Sequence, residues 1–206
     1  MAASAIPHKR VHPVRSFLVG DEPMTTGLWG IIFFIFSEIM FFAGLIAAML
    51  ALHSDTLLWE PTNGAHRVEG AHLLPILFTV LLVSTSIPMQ FAAFAIRKGN
   101  RKAMLINMGI VLVVGTAFII NQYFEWSHAG FGISDGPYAA TFYTLTGFHG
   151  AHVIGGLVFI FAQWLRGLLG HFDAKRNTAI EAATLYWHFV GFVWLLVIFP
   201  LVFFLS

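Results

Sequence analysis

The chain alternates long apolar runs with short polar breaks, and the runs exceed what a water-soluble core helix needs. The first, LWGIIFFIFSEIMFFAGLIAAML, falls within about residues 26–52 and is interrupted only at Ser37 and Glu38. About 20 apolar residues cross a bilayer core, so this run predicts a membrane span with one acid near its middle. Polar residues from His53 to Gly70 separate it from a second run over 73–96, which carries Pro75, Ser84, Thr85, Ser86, Pro88 and Gln90. A kinked helix is expected there, with Ser84 helping to satisfy the carbonyl freed by Pro88. Three more runs follow at about 103–123, 138–165 and 180–205, the 103–123 run closing in Glu125 and Trp126. The pattern therefore predicts an all-α, polytopic membrane bundle of five transmembrane helices. It makes residues 1–206 a single domain with a cytoplasmic tail over 1–25.

Lys and Arg place the loops. Lys9, Arg10, Arg15, Arg97, Lys98, Arg101, Lys102, Arg166, Lys175 and Arg176 fall on one side of this topology and Arg67 on the other. The excess of Lys and Arg in cytoplasmic loops then puts the N-terminus in the cytoplasm and the C-terminus outside. Composition agrees with a lipid solvent: 58% of residues are hydrophobic and only 10% charged, against about a quarter charged in soluble domains. Eleven Lys and Arg against ten Asp and Glu leave a net charge of +1, which argues against nucleic acid as a partner. Cys is absent, so disulfides, thiolate metal sites and cysteine nucleophiles are excluded.

Glu38 is the sharpest chemical feature, because an ionisable group deep in a span is costly and is kept for a reason. Two readings stand open: a proton, ion or lipid-headgroup site, or a hydrogen-bonded acid that joins two helices. His149 and His152, three residues apart, share one face of the fourth span and could address a metal or a neighbouring helix. His152 and His188 reach similar depths from opposite sides, which makes a haem bridge geometrically conceivable. Nothing else in the chain completes a coordination sphere, however, and the small residues in Gly147-Phe148-His149-Gly150-Ala151-His152 suit close helix approach. Structural histidines are the favoured reading. Trp187 and His188 are expected near the inner interface as anchors, and Gly155-Gly156 reads as a packing seam. Ser84 and Ser86 are expected to bond to the previous turn. No Ser/His/Asp arrangement or acid pair suited to hydrolysis is present.

These residues carry a resemblance. The blocks Ile133-Ser134-Asp135-Gly136, Thr146-Gly147-Phe148-His149-Gly150-Ala151-His152-Val153, Glu181-Ala182 and Tyr186-Trp187-His188-Phe189-Val190, with Ser37-Glu38 and Gly99-Asn100-Arg101-Lys102 earlier, resemble subunit III of the haem-copper respiratory oxidases, most closely the cytochrome c oxidase branch. The resemblance implies a subunit with no redox centre and no cofactor of its own. It would be bound to the catalytic subunit I, which holds haem and copper, and accompanied by subunit II, with cytochrome c as electron donor. It implies that Glu38 lies near a lipid-lined cleft with bound phospholipid, and that the subunit supports proton entry and oxygen access in its partner. The expected location is the plasma membrane of a bacterial cell. The chain resembles the five-span form that lacks the first two of seven helices, so one wall of the cleft is expected to be missing or supplied by a partner. The family block usually ends in Asp after His-Phe-Val, where Gly191 stands here. The site residues expected on this basis are Glu38, His149, His152 and His188 as a buried polar cluster joining spans one, four and five, with Trp187 and Glu181 near the inner edge. Rival classes are a membrane electron carrier with haem between His152 and His188, and a proton or ion transporter using Glu38. A nearer alternative is the same subunit in a quinol oxidase or a nitric oxide reductase.

Overall fold

The computed structural model describes residues 25–55 and 73–198, and these residues are helical apart from short connections. Helix α1 runs Thr26–Asp55, α2 Leu73–Ser84, α3 Ser86–Arg97, α4 Arg101–His128, α5 Pro137–Leu168 and α6 Thr178–Val193. A single π-helical turn, Trp194–Ile198, continues α6. Four stretches are long and apolar enough to cross a membrane: Thr26–Ser54, Ile76–Arg97, Arg101–His128 and Pro137–Leu168. The fifth expected span is described as α6 with its π turn, and its remainder, from residue 199, lies outside the described residues, as does the expected tail before Thr25.

The second span differs from expectation in how it bends. It is two helices joined at Thr85, three residues before Pro88. A proline removes the N–H that would reach the carbonyl four residues back and its ring crowds that carbonyl, here that of Ser84. The helix yields at the next residue. Ser84 does not reach that freed carbonyl; its Oγ donates to the Leu81 carbonyl at 2.7 Å. The Thr85 hydroxyl likewise donates back to Leu82.

The long helices also extend further than the apolar runs suggest. α4 continues to His128, so Glu125 and Trp126 are helical. α5 has 32 residues, about 48 Å at ~1.5 Å per residue, which is more than the ~30 Å hydrocarbon core requires. Backbone hydrogen bonding does not stop where apolarity does, and the caps decide the ends. Asn100 Oδ1 accepts from the Ala103 N–H at 3.1 Å to open α4. Pro137 in the first turn opens α5 behind Gly136, whose φ of 118° suits glycine.

Without a hydrophobic force between helices in lipid, packing and interhelical hydrogen bonds hold the bundle. Tryptophan supplies four of these bonds. Trp126 Nε1 donates to Thr146 Oγ1 (3.2 Å), Trp164 to the Leu105 carbonyl (3.0 Å), Trp187 to Thr85 Oγ1 (2.8 Å) and Trp194 to Thr79 Oγ1 (3.1 Å). Trp187 lodges where glycine leaves room: a Cβ on Gly156 would sit 3.0 Å from its ring, and one on Gly115 also 3.0 Å. The Gly155-Gly156 seam thus receives an indole from α6. The side chain expected at the membrane interface is 2% exposed and central to the core. The ring exceeds what an interface site shields, and its one polar atom finds a partner inside.

Candidate functional site: a carboxyl–imidazole pair between α1 and α5

Glu38 and His152 meet across the α1–α5 contact. Glu38 Oε2 lies 2.8 Å from His152 Nε2, with side-chain exposures of 18% and 15%. The other imidazole nitrogen, Nδ1, is 2.7 Å from the Phe148 carbonyl one turn earlier on α5. A carbonyl only accepts, so Nδ1 carries a hydrogen. That leaves one proton to share between Nε2 and the carboxyl oxygen. The pair is either a carboxylic acid donating to a neutral imidazole or a carboxylate accepting from an imidazolium, and both forms have zero net charge. A net-neutral pair is far cheaper in hydrocarbon than a lone carboxylate.

The surroundings support the pair. Phe42 lies 4.9 Å and Phe41 6.2 Å from the His152 ring between centroids. Tyr186 on α6 donates to the His152 carbonyl at 3.2 Å, so the third helix fixes the backbone beneath the imidazole.

The structure does not gather the other histidines into this site. His149 points to a different neighbour: it is 1% exposed, its ring stacks on Trp194 at 4.7 Å and meets the edge of Phe118 at 6.4 Å. Neither of its ring nitrogens has a hydrogen-bond partner. Three residues turn a helix by about 300°, enough to send one ring to α1 and the other to the end of α6. His188 uses Nδ1 on the Thr184 carbonyl of its own helix at 2.7 Å. The expected four-residue cluster therefore reduces to Glu38 and His152. The haem bridge is not assembled, because both nitrogens of His152 are already engaged. Among the described residues no group of three or more His, Cys, Asp or Glu is placed to hold a metal ion.

Glu181, in the first turn of α6, accepts from Arg97 Nε at 2.8 Å, tying the start of α6 to the end of α3. This ion pair sits at the end of the bundle that also carries Lys98, Arg101, Lys102 and Arg166, where Arg101 donates to the Leu168 carbonyl and caps α5. The threonines that accept from Trp126, Trp187 and Trp194 were not legible as site residues. Their only signal in the sequence is a hydroxyl within an apolar run.

An all-helical membrane bundle, with a shielded carboxyl–imidazole pair as its central polar contact, defines a multi-pass membrane protein. The family model for cytochrome c oxidase subunit III matches residues 18–206, and the chain belongs to that family. Curated relatives called cytochrome c oxidase subunit 3 are similar over most of the chain. Those of Equus caballus and Dugong dugon are 39% identical over 172 and 174 residues, and that of Loxodonta africana 38% over 171, each covering 81% of this chain. The chain spans 65% of the length of these relatives. The family description itself names a subunit of an oxidoreductase complex.

Proposed function

We propose that the chain is the non-catalytic subunit III of a proton-pumping haem-copper terminal oxidase in aerobic respiration. In this reading it packs against subunit I, which holds the haem and copper, beside subunit II, with cytochrome c as electron donor and membrane phospholipid along its helices. The membrane is proposed to be a bacterial plasma membrane, with the Lys- and Arg-rich end of the bundle in the cytoplasm.

The observation that carries the reading is the 2.8 Å contact between Glu38 and His152. The pair keeps a proton at a defined place in the apolar zone without net charge. It also joins α1 to α5, which other contacts hold less extensively than α5 is held to α4. Its work is then to keep α1 seated so that the bundle presents one fixed surface to its partner. Support for a supporting role also comes from the donor inventory, since both imidazole nitrogens of His152 are occupied by hydrogen bonds.

The test is purification of the complex in mild detergent with Glu38→Ala and Glu38→Gln. Glu38→Ala is expected to reduce co-purification of the haem-bearing polypeptide, or to shorten the enzyme's working life, without altering the haem spectrum. Glu38→Gln, which keeps a hydrogen-bonding group, should retain the assembly. Normal lifetime and full retention in Glu38→Ala would refute the reading. The polypeptides that co-purify also separate a cytochrome c oxidase from a quinol oxidase or nitric oxide reductase, because the partners choose the electron donor.

A further inference from the structure

Among the described residues, His149 is the side chain whose buried nitrogens, Nδ1 and Nε2, both lack a partner within the protein. A neutral imidazole carries one N–H and one lone pair, and each costs free energy when it leaves water unmatched. The indoles of Trp187 and Trp194, buried in the same core, each donate to a threonine. His149 is therefore an exception that needs a cause of its own.

A second observation lies next to it in the chain. Gly150 is buried, yet a Cβ built on it would meet nothing within 4 Å beyond its chain neighbours and its own helix backbone. Gly156 on the same helix is filled, with the Trp187 ring 3.0 Å from such a Cβ. The open notch faces a polar residue of α4. Trp126 meets Thr146 and Gly147, and Gly115 lies against Leu157, so the antiparallel register brings Asn121 level with Gly150 and Ala151. Asn121 is 7% exposed and ends the buried stripe of α4 that includes Phe118, whose ring meets His149.

The chemistry of these two groups defines what the notch can take. Imidazole and carboxamide each both donate and accept, and neither is charged. A cation would need a carboxylate, and Glu38 is engaged by His152. A water molecule needs room for about one probe sphere, ~10–15 Å³, and at least two polar partners. We propose that the notch at Gly150 holds an internal water molecule, hydrogen-bonded to a ring nitrogen of His149 and to the Asn121 carboxamide. The site joins α4 to α5 at a wet point inside an otherwise apolar core, and it stands whether or not the oxidase reading does. Removing the imidazole and its water together leaves overall stability little changed, because donor and acceptor depart as a pair.

Millisecond X-ray radiolysis makes hydroxyl radicals wherever water stands, and mass spectrometry of the full chain in its detergent-purified complex reads which side chains they oxidise. Trp194, 4% exposed and stacked on His149, reports on the site; Trp187, 2% exposed and bonded to Thr85, is the dry reference. Trp194 is expected to oxidise several-fold faster than Trp187. Gly150→Ala, whose methyl takes the place of the water, should bring Trp194 down to the Trp187 rate, and His149→Phe should do the same. An unchanged Trp187 rate shows that a variant has kept its fold; if Gly150→Ala does not assemble, the parent comparison and His149→Phe decide. Trp194 oxidising no faster than Trp187 in the parent, or equally fast in the parent and in the folded variants, would overturn the proposal.

Discussion

The indole of Trp187 on α6 donates to Thr85 Oγ1 across 2.8 Å, at the single residue where the second span breaks into α2 and α3. The break and the last helix are thus one structural unit. Pro88 weakens the helix at that level, and the hydroxyl next to the weakened carbonyl becomes the acceptor for a buried N–H that has no water to turn to.

Thr85→Val keeps the shape but strands that N–H. Interhelical hydrogen bonds in membrane bundles contribute about 0.6 kcal/mol on average and up to ~1.7. A loss of about 1 kcal/mol is expected in reversible unfolding from mixed micelles, with Thr85→Ser recovering most of it. Equal stability of Thr85→Val and the parent would show that the bond carries nothing.

His149 offers the reverse case. Its nitrogens are buried and unpartnered, so His149→Phe removes no hydrogen bond and keeps a ring to stack on Trp194. Relieving a buried polar group that lacks a partner is worth about 1 kcal/mol or more, so stability should hold or rise. His152→Phe, which strips Glu38 of its partner, should fall. A drop in His149→Phe as large as that in His152→Phe would show that His149 has a role the bundle does not reveal.

Two glycines separate close packing from open space. A Cβ on Gly156 would stand 3.0 Å from Trp187 and 3.2 Å from Tyr186, so Gly156→Ala should cost about 1–3 kcal/mol by overpacking. At Gly191 the nearest atom is Ser86 Oγ at 3.6 Å, an ordinary contact. Gly191→Ala should therefore gain up to about 1 kcal/mol through helix propensity. Gly191→Asp should also fold, with its carboxyl beside the Ser86 hydroxyl. The same micelle unfolding assay ranks all three, and Gly156→Ala matching Gly191→Ala would contradict the packing described.

The loop between α5 and α6 should respond to acid. Asp173 accepts from the backbone N–H groups of Lys175 and Arg176, at 2.8 Å each, and from the Arg176 side chain. These bonds, the Lys175 and Arg176 backbone donors first, hold its carboxyl below the usual carboxylate range. A depressed value means the loop is favoured fully above the ordinary Asp value and loses that support as pH falls through the lowered one. Amide exchange at Lys175 and Arg176, measured relative to the intrinsic rate at each pH, should stay slow at neutral pH and accelerate only in acid. In Asp173→Asn it should be faster at neutral pH and lack the acid limb; an unchanged profile would remove the carboxylate from the account.

Much of the architecture was readable before any coordinates. Apolar run length is a property of the chain in one dimension, and so is the crowding of Lys and Arg at alternate breaks. Glu38 was conspicuous for the same reason. Trp187 was misplaced because an indole near the start of a span looks alike whether it faces lipid or core. His149 and His152 looked like a pair because three-residue spacing constrains a face only to within a neighbour or two.

The sequence by itself determined that this protein lives in a membrane, that its helices follow its apolar runs, and that one acid must be dealt with inside hydrocarbon. Only the tertiary structure decided that His152, and neither His149 nor His188, deals with it, and that Thr85 answers Trp187. Burial in lipid is set by how many apolar residues follow one another. The choice of partner depends on how each helix is rotated and where its neighbours leave glycine-sized room, and those quantities exist only once the bundle has packed.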